Sequence, residues 1–94
     1  MRTHKSEVQA IRKLIDIYGG AAYVLHQSSR LHGSAGLPDM FCMLDHRAFW
    51  IEVKVGADKL RVAQSAFIEH SHQCGQVVLV GGLELVKKWI ETWR

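Results

Sequence analysis

The sequence predicts a single-domain α/β sandwich, a central mixed sheet flanked by helices in the order α-β-β-β-α-β-α. Three observations predict it. Apolar residues recur at helical spacing near the start, past the middle and at the end of the chain. Between those stretches lie apolar runs of strand length, bounded by glycine or turn residues. The chain has 94 residues and no linker or low-complexity tract, enough for one domain, residues 1–94, and not for two.

The first segment, Thr3 to Tyr18, sets Val8, Ile11, Leu14, Ile15 and Tyr18 at helical spacing, and Gly19-Gly20 closes it. Ala21 to Gln27 reads as a short strand, and Ser28 to Pro38 as a polar loop. Asp39 to Leu44 and Ala48 to Lys54 read as the strands of a hairpin. Both are largely apolar on both faces, as central strands covered by helices are. Gly56 to Lys59 is a loop, Leu60 to Gln73 a helix, and Val77 to Val80 a short buried strand ended by Gly81-Gly82. Glu84 to Trp93 is a final helix with Val86, Trp89, Ile90 and Trp93 on one stripe. That stripe exceeds the needs of a short terminal helix, and its surplus is a candidate homodimer contact.

Composition narrows the classes. The chain is 48% hydrophobic and 22% charged, as globular proteins are. It has no apolar run long enough to span a bilayer and no signal-peptide pattern, so a cytoplasmic protein, cellular or phage-encoded, without a membrane partner is expected. Cys42 and Cys74 read as two reduced thiols rather than a disulfide framework. The formal charge of +3 permits a polyanionic partner without establishing one.

The hairpin carries the chemistry. With Asp45-His46 as a two-residue turn, Asp39 falls opposite Glu52; a longer turn shifts the register by one and keeps the carboxylates near each other. Alternation puts Glu52 and Lys54 on the same face. Buried charges need a partner or a metal, and two neighbouring carboxylates repel unless a cation relieves them. Carboxylate oxygens are hard ligands suited to Mg²⁺ or Mn²⁺. The plain alternative is a Glu52–Lys54 pair at a solvated strand end, with Asp39 ending the loop.

Gly36-Leu37-Pro38-Asp39 followed by Ile51-Glu52-Val53-Lys54 resembles the PD-(D/E)XK nuclease signature. The details resemble its VRR-NUC branch, the virus-type replication-repair nucleases, in which a glutamine follows about ten residues later, here Gln64. Val77 to Gly82 resembles the closing strand of that family, and the likeness runs from Glu7 to the C-terminus. It implies a nuclease-like sandwich that hydrolyses phosphodiester bonds in DNA. Asp39, Glu52 and the main-chain carbonyl of Val53 would bind Mg or Mn, and Lys54 would activate water or stabilise charge. It also implies a homodimer acting on branched DNA such as four-way junctions. The alternatives are a DNA-binding module of a repair or replication complex without catalysis, and a structural subunit whose acids merely hold a cation.

Other residues have lesser claims. Glu7 lies on an otherwise apolar helical row, and the family places a first-helix acid by the metal; otherwise it sits at the stripe's edge near the helix N-terminus. Gln64 shares a row with Phe67, Ile68 and Ser71 and should face inward, toward the site or toward a buried backbone group. Arg30 and His32 before the motif, and Lys59 and Arg61 after it, could grip phosphates or be ordinary surface charge. His70, His72 and Cys74 do not match common structural zinc spacing.

Overall fold

The computed structural model describes residues 1–25 and 36–94. Its elements are α1 (His4–Ile17), β1 (Ala21–Val24), β2 (Met40–Leu44), β3 (Arg47–Val53), α2 (Val62–Gln73), β4 (Val77–Gly81) and α3 (Leu83–Glu91). The order is the expected α-β-β-β-α-β-α, with boundaries moved by one or two residues; the expected strand end at Gln27 and most of the expected loop Ser28 to Pro38 lie outside the described residues.

Each boundary has a local cause. Thr3 caps α1: its hydroxyl accepts the Ser6 N–H at 3.0 Å, and Ser6 Oγ accepts the Thr3 N–H at 2.9 Å. Gly19, with φ of +87°, takes the left-handed conformation just past its end. The hairpin turn is Asp45-His46, because Leu44 pairs with Arg47. Both turn residues have positive φ, 52° and 65°, the mirror-image turn whose twist suits adjoining strands. Helix α2 begins at Val62, two residues later than expected, because Gln64 reaches back to accept the Arg61 N–H at 2.8 Å.

The strands lie in the order β1-β2-β3-β4. β1, β2 and β3 are antiparallel neighbours, and β4 pairs with β3 in parallel after the α2 crossover. One face is sealed by α1 and α3. There Met40, Cys42, Leu44, Phe49, Ile51 and Val53 meet Ile11, Ile15, Val86 and Ile90.

The second face carries α2 near β4, where Phe67 meets Trp50 with ring centroids 5.2 Å apart. A helix about 10 Å wide covers roughly two strands spaced about 4.8 Å apart. Tyr23 and Met43, on the β1–β2 half of this face, stay exposed. The expectation of strands covered on both sides therefore holds on one face and half of the other, among the described residues. The stripe of α3 packs largely against the protomer's own core: Val86 and Ile90 are fully buried, Trp89 and Trp93 pack on the core, and Trp89 stands edge-on to Phe49 at 4.8 Å. Trp89 and Trp93 are only partly buried and Leu85 is exposed, so this helix keeps some apolar surface.

Candidate active site

The segment bearing Asp39 is pinned from behind. Gly36 has φ of +92°, and a Cβ there would collide with the Ala63 carbonyl in the first turn of α2. Pro38 is buried, and β2 starts directly after Asp39. The paired register ends with Met40 opposite Ile51, and carried one residue further it sets Asp39 opposite Glu52. Asp39 Oδ2 accepts the Val53 N–H at 2.8 Å and lies 3.2 Å from His4 Nε2. The carboxylate thus ties the end of β3 to the first turn of α1.

Glu52 is 3% exposed. Its Oε2 accepts a hydrogen bond from Gln64 Nε2 at 2.8 Å and lies 3.3 Å from Lys54 Nζ. Lys54 Nζ donates to Gln64 Oε1 at 3.2 Å, the oxygen that also accepts the Arg61 N–H. One amide therefore joins the acid, the ammonium and the start of α2. Burial, and next the charge of Asp39, push the Glu52 carboxyl above the ordinary glutamate range; Lys54, and more weakly His4, oppose the shift.

The other oxygen of Glu52 is the informative atom. Oε1 is buried and has no hydrogen-bond partner. A buried oxygen left unsatisfied beside a second carboxylate is a ready position for a hard cation. No group of three or more His, Cys, Asp or Glu side chains able to hold a metal occurs among the described residues. The arrangement fits an ion of the Mg²⁺ type, which takes one or two carboxylates and fills its remaining positions with water and phosphate oxygens. Val53 lies between Glu52 and Lys54 with its side chain in the core, so its main chain is what it can offer.

The remaining candidates are placed as follows. Glu7 is buried but turned toward Gly82, with its Oε1 3.6 Å from Arg2 Nη1, and is not gathered with Asp39 and Glu52 into a metal-holding group. Lys59 and Arg61 are exposed in the segment leading into α2. Arg30 and His32 lie outside the described residues. His70, His72 and Cys74 are exposed around the end of α2 and form no metal-holding group among the described residues. Cys42 is buried in the core, and burial pushes its thiol up to about 12, so it is a packing residue rather than a nucleophile. His4 was not singled out by the sequence; its contact with Asp39 spans 35 positions, and no local pattern announces it.

Neither the protein-family models nor the curated proteins give a match to this chain. A solved structure of a VRR_NUC domain does: it is 26% identical, with a TM-score of 0.76, over 99% of this chain and 100% of that one. The agreement upholds the VRR-NUC resemblance carried by the two motifs, and with it the nuclease-type α/β fold.

Proposed function

We propose that this chain, which has the fold of a VRR_NUC domain over nearly its whole length, is a divalent-metal-dependent nuclease that hydrolyses phosphodiester bonds in DNA. The observation that carries the reading is the Glu52 carboxylate: buried, one oxygen orphaned, the other held beside Lys54 by Gln64, with Asp39 adjacent. A cation bridging this oxygen and Asp39 would satisfy it.

Asp39, Glu52 and the Val53 carbonyl would hold Mg or Mn. Bound there, the ion would lower the pKa of the attacking water and offset charge growing on the phosphate. Lys54 is the ammonium closest to that chemistry, placed to donate to a phosphate oxygen or to orient the water. Gln64 is a positioning residue, since its amide fixes Glu52 and Lys54 relative to each other. Lys59 and Arg61, with Arg30 and His32, would hold flanking phosphates. Glu7, buried on α1, would be a further ligand, drawn from Arg2 when the ion binds.

Branched DNA and a homodimer belong to the same proposal. The family resemblance favours both, and a two-fold dimer would present paired sites to a junction of matching symmetry. Light scattering that shows a monomer at micromolar concentration would count against the dimer, and equal cutting of linear and four-way DNA against the junction preference.

The decisive test is cleavage of labelled DNA with Mn²⁺ or Mg²⁺. EDTA should stop it, Ca²⁺ should support binding with little turnover, and Asp39→Ala, Glu52→Ala and Lys54→Ala should each lose about a hundredfold or more while remaining folded. Undiminished cutting in EDTA, or by a folded Glu52→Ala protein, would overturn the assignment.

A further inference from the structure

We infer that a groove beside α1 receives an unpaired DNA strand and leads it to Asp39; this rests on the nuclease reading above. The groove encloses about 570 Å³ between α1 and the end of β1, and Asp39 is part of its lining. From α1 it takes His4, which sits against Asp39, and Lys5, Val8, Gln9 and Arg12, which follow the i, i+3, i+4, i+7 spacing of one helical face. From the strand side it takes Val24 and Leu25.

Two chemistries therefore lie side by side. Lys5 and Arg12 are exposed, and among the described residues neither enters an ion pair, so both charges are open to a polyanion. Val8, Val24 and Leu25 form an aliphatic wall beside them. A duplex offers phosphates but keeps the faces of its bases stacked inside, and it has little to give such a wall. An unpaired strand offers phosphates and base faces together. The groove has the size of a small-ligand pocket, room for a short stretch of one strand.

Asp39 connects this groove to the candidate site, because the carboxylate that lines the groove also accepts the Val53 N–H beside Glu52. A strand lying along Lys5 and Arg12 thus ends at the acidic cluster. Lys59 and Arg61, at the start of α2, remain for the paired part of the substrate. Among branched substrates the groove therefore favours those whose strands come unpaired at the branch point.

The test is fluorescence anisotropy in EDTA, so that no cleavage occurs, with a short labelled oligothymidylate and a blunt duplex of equal length. Lys5→Ala/Arg12→Ala should weaken oligothymidylate binding about tenfold at moderate salt. The logarithmic salt slope should fall by about 1.4, since each phosphate contact on a single strand contributes about 0.7. Blunt-duplex affinity should change by less than about twofold. Equal weakening of both ligands, no weakening of either, or no oligothymidylate binding by the unaltered protein would overturn the inference. Both substitutions are on the exposed surface, and an unchanged melting temperature confirms that the fold is intact. Metal-dependent cutting that Glu52→Ala abolishes would still stand if the groove proved idle, so the two readings fail separately.

Discussion

On the face covered by α1 and α3, β3 presents Phe49, Ile51 and Val53, each buried among carbon. On the face carrying α2, the alternate residues are Trp50, Glu52 and Lys54, which meet polar partners: Gln76 for the Trp50 indole, Gln64 for the other two. One strand thus serves two ends. Phe49, Ile51 and Val53 hold the domain together, while Glu52 and the following Lys54 are held as charges by Gln64. The unequal helix cover makes this workable, because two helices exclude water from the first face while one helix leaves the second accessible to a substrate.

The comparison can be broken most directly with Phe49→Ala and Trp50→Ala. Phe49 is fully buried and stands against Trp89, so its truncation should cost about 3–5 kcal/mol and lower the melting temperature by more than about 10 °C. Trp50 is larger but partly exposed, and its loss should cost clearly less. Equal losses in thermal melts would show that the two faces share the stabilising load.

Gly36→Ala probes the joint between the Asp39 segment and α2. The added methyl meets the Ala63 carbonyl and φ is +92°, so roughly 1–3 kcal/mol should be lost. Cleavage should fall by more than the folded fraction does, because Asp39 is carried off its position. Activity that simply tracks the folded population would mean that the segment tolerates displacement.

Glu52→Gln sharpens the polar side of the comparison. Burial raises the Glu52 carboxyl above its unfolded value, so the folded chain binds that proton more tightly. Ionised Glu52 therefore costs stability at pH above the raised value, and the cost disappears as pH falls through the ordinary glutamate range. Glu52→Gln should melt higher than the unaltered protein at neutral pH, with the gain vanishing in acid. Mn²⁺ should raise the melting temperature of the unaltered protein and not of Glu52→Gln. A variant that melts lower at neutral pH would show that the ion pair with Lys54 outweighs the desolvation.

The smallest effects belong to the periphery. Gln64→Ala removes the shared amide and should lower cleavage about tenfold, less than any loss at Asp39, Glu52 or Lys54. Lys59→Ala and Arg61→Ala should each reduce the salt slope of duplex binding by about 0.9 and leave melting unchanged. An unaltered slope would remove that flank from the interface.

Much of this was legible in the sequence because it is periodic or local. The turn at Asp45-His46 fixed the hairpin register, and the register placed Asp39 opposite Glu52 and Lys54 on the Glu52 face. Gln64 was read as inward-facing from its helical row, and it is buried. Its second task, capping α2 through the Arg61 N–H, moved the helix start and was not foreseen, because a side chain can reach back without altering the apolar pattern. The α3 stripe is only half legible for a related reason. Periodicity shows that a helix has an apolar face but not how much sheet awaits it, and here Phe49 and its neighbours cover part of both tryptophans. His4 beside Asp39, and the groove lined by Lys5 and Arg12, arise where distant elements meet, and sequence spacing carries no sign of them.

The parallel docking of β4 against β3 orders the birth of the site in time. The β2–β3 hairpin closes through a two-residue turn and can form within microseconds, whereas β4 must wait for α2 to cross over. Gln64 rides on that crossing element. Until it docks, Glu52 and Lys54 stand on a hairpin open to water, where neither charge is desolvated. The energetically awkward act of burying them is deferred to the last closure, when the amide of Gln64 arrives to receive them. A refolding chain should therefore gain hairpin structure before it gains cleavage, and the lag between the two measures how long α2 and β4 take to close.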